Sequence, residues 1–289
     1  MKDLTWWNNF WRPLSTMGHW LLENLSPLAF INSLVPKDGY DKYSGIDYGK
    51  FGRQKLDVYV PRNAGRGLPV VVFFYGGTWQ SGRRQDYRFV AQALTASGAI
   101  AVIPDYRVYP EAKFPTFLED GAAAVSWVCN HIGDFGGKTS RLFLMGHSAG
   151  AYLAAMLALN PGYLAQVGMS ADELKGFIGI AGPYDFLPLK NQKLIKIFGG
   201  ADGIPETQPV NFVRGKAPPA LLLHGEADKI VGPYNTRHLA ESLRKAGARV
   251  EDKIYPGVKH IRILIVMASP FQDGEPVMAD IRHFISARG

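Results

Sequence analysis

The chain has 289 residues, of which 47% are hydrophobic, 12% aromatic and 20% charged; this describes a folded globular protein with a large core and excludes a disordered or fibrous one. Single α/β domains reach 250 residues or more, so one core with embellishments is expected. The formal net charge of +7 is spread along the chain with acids between the bases. No basic stripe marks a nucleic-acid partner, and a solvated basic surface is expected.

The first 36 residues hold Trp6, Trp7, Trp11 and Trp20 among Leu14, Leu21, Leu22, Leu25 and Phe30. Lys2 and Asp3 open the chain without the apolar core or small-residue cleavage site of an export signal, and Arg12, Glu23 and Pro27 interrupt any bilayer span. Leu4, Trp7, Trp11 and Leu14 recur at helical spacing, with Pro13 ending or kinking that helix. Residues 1–44 are expected to form an aromatic-rich arm or cap on a main domain over 45–289. The alternative is peripheral membrane contact through residues 1–36. Either reading suits a cytoplasmic or peripherally membrane-associated protein.

From residue 55 onward, β-type apolar runs alternate with helical patterns, the signature of a mostly parallel sheet with helices on both faces. Strands are predicted at 55–60, 69–75, 99–105, 141–146, 177–182, 219–225 and 250–256. Most are continuously apolar, as strands covered on both faces must be. The first two are expected to pair antiparallel at one edge. Helices are predicted over RFVAQALTAS, FLEDGAAAVSWVCNHI, AYLAAMLAL, YNTRHLAESLRKAG and the terminal VMADIRHFISAR. Residues 184–216 form a long connection punctuated by glycine and proline, with a short helix near LKNQKLIKIF, and such excursions commonly shape a binding site. The single cysteine, Cys129, lies in an apolar pattern and reads as a buried small hydrophobe.

Within LMGHSAGAYLAAMLAL, Gly146-His147-Ser148-Ala149-Gly150 fits G-x-S-x-G between a strand and a helix. A serine on that sharp turn presents its hydroxyl above the sheet at a helix N-terminus, and small flanking residues permit the turn. Serine is a poor nucleophile near neutral pH and needs a general base with an orienting partner. Asp228 follows the strand PALLLHG, and His260 follows the strand VEDKIYP, so both stand beyond strand carboxyl ends, where ligand chemistry collects in such sheets. The order Ser148, Asp228, His260 is that of the α/β-hydrolases. Asp185 in GPYDF is the competing acid. His147, His224, His238 and His283 are expected to be structural or solvated. In FFYGGTW, at 73–79, the glycines allow backbone donors to approach a reacting carbonyl. Gly76, Gly77 and Ala149 are therefore the expected oxyanion-hole donors. Trp79 and Tyr75 are the candidate substrate-binding residues, with anchoring of the loop as the competing role.

From about residue 45 to the end the chain resembles the α/β-hydrolase esterases of the hormone-sensitive-lipase-like and carboxylesterase groups, including kynurenine formamidase and prenylcysteine methylesterase relatives. The resemblance rests on YGGTW, DYRVYPEAKFPTFLED at 105–120, GHSAG, HGEAD and GVKH, in that order. It implies hydrolysis of short to medium acyl esters, as small-molecule substrates, through an acyl-enzyme without metal or organic cofactor. Arylformamidase activity and a non-catalytic binding module are the alternatives. Tyr75 departs from the histidine of many relatives, a residue whose side chain usually steadies the loop.

Overall fold

The computed structural model describes residues 27–200, 204–272 and 274–288. The four amino-terminal tryptophans and the helix expected around them lie outside the described residues. The elements run in chain order as α1 (Pro27–Leu34), β1 (Tyr40–Asp47), β2 (Lys55–Pro61), β3 (Leu68–Phe74), α2 (Arg88–Ala96), β4 (Ile100–Pro104), α3 (Thr116–His131) and β5 (Gly137–His147). There follow α4 (Ala149–Leu159), α5 (Pro161–Ala165), β6 (Gly176–Ile180), α6 (Gln192–Phe198), β7 (Ala220–Gly225), α7 (Tyr234–Lys245), β8 (Val250–Tyr255), α8 (Arg262–Ile265) and α9 (Val277–Ser286). One sheet of eight strands carries them in the order β1-β2-β4-β3-β5-β6-β7-β8.

The apolar runs explain the centre of this sheet. Val70, Val71, Val72, Phe73 and Phe74 of β3 are fully buried, and β3 pairs parallel to β4 on one side and to β5 on the other. The remaining strands β6, β7 and β8 continue in parallel, each reached through a helical crossover. Helix α4 is buried on every side, and its small residues let it lie close on the sheet. A Cβ on Gly150 would stand 2.0 Å from the Phe74 carbonyl oxygen, and one on Gly146 would stand 2.1 Å from the Gly150 carbonyl oxygen. Both positions therefore require glycine for backbone approach.

The expected pairing of the first two predicted strands is corrected. β2 pairs antiparallel with β4, Val58 opposite Val102 and Tyr59 opposite Ala101, while β3 lies beyond β4. The connection between β2 and β3 passes over the place that β4 fills, and α2 brings the chain back to fill it. The eighth strand, β1, pairs antiparallel with the other edge of β2. Its sequence YDKYSGID carries too many exposed polar side chains to be recognised as a strand by apolar pattern. It begins at Tyr40, so the sheet starts ahead of residue 45. Upstream of it, α1 is held by Arg88 at the start of α2. That guanidinium donates to the carbonyls of Asn32, Val35 and Pro36 and to the Tyr40 hydroxyl.

Both sheet edges carry ion pairs. At β1 and β2 these are Lys42 with Asp57, Lys55 with Asp47 and Arg62 with Asp41. Along β8 they join Glu251 to Arg288, Asp252 to Arg244 and Lys253 to Asp280. One of these carboxylates reaches inward. Asp57, 1% exposed, accepts from Lys42, from the Gly45 N–H and from Arg84, which also bonds Asp105 beyond the end of β4. Burial would raise the Asp57 carboxyl, but the Arg84 bond, the Gly45 N–H and Lys42 outweigh it and hold it below the usual carboxylate range.

Removing one partner from a buried ionic cluster leaves uncompensated charge, so Arg84→Met is expected to lower the unfolding free energy by about 3–5 kcal/mol. Urea titration at neutral pH measures this. Because Asp57 ionises at lower pH in the native state than in the unfolded chain, its stabilising contribution is present above the unfolded value of about 4 and disappears as pH falls through the native one. An R84M variant with an unchanged urea midpoint would show that the cluster contributes nothing to stability.

Candidate active site

Ser148 sits between the end of β5 and the start of α4 with φ 54° and ψ −122°, a conformation that L-residues rarely adopt. Such backbone strain costs about 1–3 kcal/mol and persists only where packing over-determines it. The close fit of Gly146 against Gly150 and of Gly150 against β3 supplies that packing. The Ser148 Oγ–H donates to Nε2 of His260 at 2.9 Å, and His260 Nδ1–H donates to Oδ2 of Asp228 at 2.6 Å. Asp228 follows β7, and His260 lies in the turns after β8, as the spacing predicts. The competing acid, Asp185, instead accepts from His238 Nδ1 at 2.6 Å in a half-exposed pair.

Asp228 is held from every side. Its Oδ1 accepts the N–H groups of Ile230 at 2.9 Å and Val231 at 3.0 Å. Its Oδ2 lies 3.2 Å from Nε2 of His224 as well as against His260. Burial would raise its carboxyl, but the bonds from His224, His260 and the Val231 N–H outweigh burial and hold it well below the usual range. Two histidines set aside by sequence reasoning therefore belong to the site. His224 meets the acid, and His147 donates Nε2–H to the His260 carbonyl at 2.9 Å. Burial first, then the proximity of His260, pushes the His147 imidazole down to about 3, so it stays neutral near pH 7.

The glycine loop after β3 lies directly against the serine. A Cβ on Gly76 would fall 3.1 Å from both the Ser148 Cβ and the His147 carbonyl oxygen, and one on Gly77, with φ 140°, would fall 2.2 Å from the Ser81 carbonyl oxygen. Among the described residues, the N–H groups of Gly76, Gly77 and Ala149 have no protein acceptor.

Tyr75 requires a correction. Expected to contact substrate, it is fully buried, with its ring between Tyr87 at 5.2 Å and Tyr106 at 4.9 Å. Its hydroxyl donates to Asp105 Oδ1 at 2.8 Å and accepts from Arg53 at 3.0 Å, and the Tyr106 hydroxyl donates to the Tyr75 carbonyl at 2.8 Å. Burial, with Tyr106 and Asp105 adding to it, holds the phenol well above its ordinary value, so it remains protonated and able to donate. Arg53 also donates to the Gly82 carbonyl at 2.7 Å, and Arg107 clamps Asp120 through its backbone N–H and its guanidinium. The side chain thus anchors the loop and offers no surface to a substrate.

Trp79 is 3% exposed and packs among Phe117, Tyr152, Phe186 and Phe198, with ring centroids 4.9–6.2 Å away. Phe186 and Phe198 come from the 184–216 excursion, which therefore folds back onto the glycine loop. Cys129, expected to be buried, is half-buried; burial and Glu173 push its thiol up to about 11, away from nucleophilic use. Among the described residues, no group of three or more His, Cys, Asp or Glu side chains could hold a metal ion, and no helix is long and apolar enough to cross a membrane.

Comparison with known proteins places this geometry in context. Residues 56–243 match the BD-FAE family. The isoprenylcysteine alpha-carbonyl methylesterase ICME of Arabidopsis thaliana is 30% identical over 256 residues, covering 81% of this chain and 60% of that protein. Esterase LipQ of Mycobacterium tuberculosis is 31% identical over 224 residues, covering 71% of this chain and 53% of its own length. The chain thus spans between about half and three-fifths of these curated relatives. The native structure of esterase Est2 from Thermogutta terrifontis superposes with a TM-score of 0.64 at 27% identity, covering 78% of this chain and 85% of that one. A truncated carbohydrate esterase from gut microbiota shares the fold at 18% identity, with a TM-score of 0.77 over 88% of this chain and 98% of that one. The family match takes in more than half of the chain, with β3 through β7 and most of β2 and α7 inside it, and the chain belongs to the BD-FAE family on an α/β-hydrolase fold.

Proposed function

We propose that the protein is a serine carboxylesterase that cleaves small carboxylic esters through an acyl-enzyme. The observation that carries this reading is the unbroken hydrogen-bonded line from Ser148 Oγ through His260 to Asp228, at 2.9 and 2.6 Å, on a strained strand-to-helix turn. His260 Nε2 takes the hydroxyl proton as Ser148 Oγ attacks the ester carbonyl carbon. Negative charge develops on the carbonyl oxygen beside Gly76, Gly77 and Ala149, whose N–H groups stabilise it. His260 then returns the proton to the departing alcohol oxygen, leaving the acyl group on Ser148. Water, deprotonated by the same nitrogen, attacks the acyl carbonyl, and collapse of the second tetrahedral intermediate releases the acid and restores the serine.

Asp228 orients the imidazole and balances the charge it acquires, which its own low carboxyl value supports. Trp79 and the buried rings packed on it anchor the glycine loop, and Phe186, the partly exposed ring of that cluster, is the one suited to meet the hydrocarbon part of an ester. The methylesterase and esterase relatives, matched over 81% and 71% of this chain, support an ester as the substrate.

Ser148→Ala is expected to lower kcat for p-nitrophenyl acetate by about four to six orders of magnitude while the protein stays folded. An organophosphonate should label Ser148 in the unmodified protein, and near-normal turnover by the alanine variant would sink the triad. Tyr75→Phe keeps the stacked ring but removes the bond to Asp105, so the glycine loop loses its polar tether. It is expected to lower kcat by about 10- to 100-fold with KM little changed, since loss of positioned donors is felt in the transition state. Unchanged kcat in this variant would mean that ring packing alone holds the loop.

A further inference from the structure

The ring of His224 is fully buried, lies next to the last residue of β7 and is not part of the hydrogen-bonded line described above. Its Nε2 lies 2.9 Å from the Val231 carbonyl oxygen and 3.2 Å from Asp228 Oδ2. Both of those partners can only accept, so Nε2 carries a hydrogen. Its Nδ1 lies 2.8 Å from the hydroxyl of Thr236, a fully buried residue of α7 that can donate to it. The tautomer is thereby set by groups from two places: the loop carrying Asp228 and Val231, and Thr236 in the first turn of α7.

We infer that His224 is a positioning residue for the triad, sharing its Nε2–H between the Val231 carbonyl and Asp228 and so steadying the carboxylate that orients His260. The inference rests on the esterase reading above. With His224 in place, Oδ2 accepts the His260 N–H and lies 3.2 Å from His224 Nε2, whose one hydrogen is shared with the nearer Val231 carbonyl, and Oδ1 accepts two backbone N–H groups. Three full donors and the shared His224 N–H surround the two oxygens, which favours one orientation of the carboxylate. The second donor also draws charge away from the oxygen that faces His260. The titratable groups around this cluster are His260, Ser148, Asp228 and His147, whose ring lies 4.8 Å from that of His260.

His224→Met removes the donor at similar length, whereas His224→Gln places an amide N–H near the original Nε2. The Met variant is expected to lose about 10- to 100-fold in kcat, and the Gln variant to recover most of it. Without the N–H, the carboxylate turns more charge toward the imidazolium, so the acid limb of the kcat/KM profile should move to higher pH by about 0.5–1 unit. Thr236→Val, which takes away the hydroxyl that sets the tautomer, should move the limb the same way with a smaller loss, and provides the test if the Met variant does not fold. Rates are taken per site labelled by organophosphonate, so misfolded protein does not count. A fall in rate with an unmoved acid limb, or a Gln variant no better than Met, would overturn the inference and leave His224 as a staple of its loop. Failure of Ser148 to take the label in the unmodified protein would instead overturn the esterase reading, and this inference with it.

Discussion

The carboxylate of Asp105 holds the glycine loop in place. It stands just beyond β4, the strand next to β3, and accepts the Tyr75 hydroxyl, the Arg84 N–H and the Arg84 guanidinium. Through Arg84 the tie continues to Asp57 on β2, and through Tyr75 it reaches the first residue after β3. The loop that faces Ser148 therefore takes its position from two neighbouring strands and not from its own glycines. A loop rich in glycine has little intrinsic preference for one path, so its precision must come from such outside contacts.

A second constraint acts from the other side of the serine. Ser148 is held at positive φ because α4 is pressed onto β3 at Gly150 and onto β5 at Gly146, where no Cβ fits. The strain at one residue is compensated by burial of the whole helix. The two devices differ in kind: the elbow is fixed by steric contact, the loop by charge and hydrogen bonds. They meet where Gly76 comes within van der Waals distance of Ser148.

What could be read from sequence follows the range of the interaction. Continuous apolar runs announce strands covered on both faces, so the strands from β2 to β8 and the longer helices between them were legible to within a few residues, while the short α5 was not. G-x-S-x-G is a local sterically driven motif, and the order of Asp228 and His260 after their strands was legible for the same topological reason. The neighbour of β2 was not, because strand order depends on side-chain matches between segments far apart, such as Val58 with Val102. The polar β1 gave no apolar signal. His224 and His147 read as structural or solvated, since their partners at Asp228, Thr236 and the His260 carbonyl lie in other segments. The segment 105–120 was visible as a family likeness, and its physical content is a brace: Asp105, Tyr106, Arg107 and Asp120 fasten the ends of β3 and β4.

The ion pairs along the two sheet edges have a consequence for the protein in concentrated solution. A bare strand edge invites another chain to add a strand, and natural sheets discourage this with charge. The outer strand β1 carries Asp41, Lys42 and Asp47, and β8 carries Glu251, Asp252 and Lys253, each paired within its own fold. A second copy approaching either edge would have to strip water from these groups and break their pairing before it gained a backbone hydrogen bond. The pairs thereby favour self-contained folding over strand addition and fibril growth.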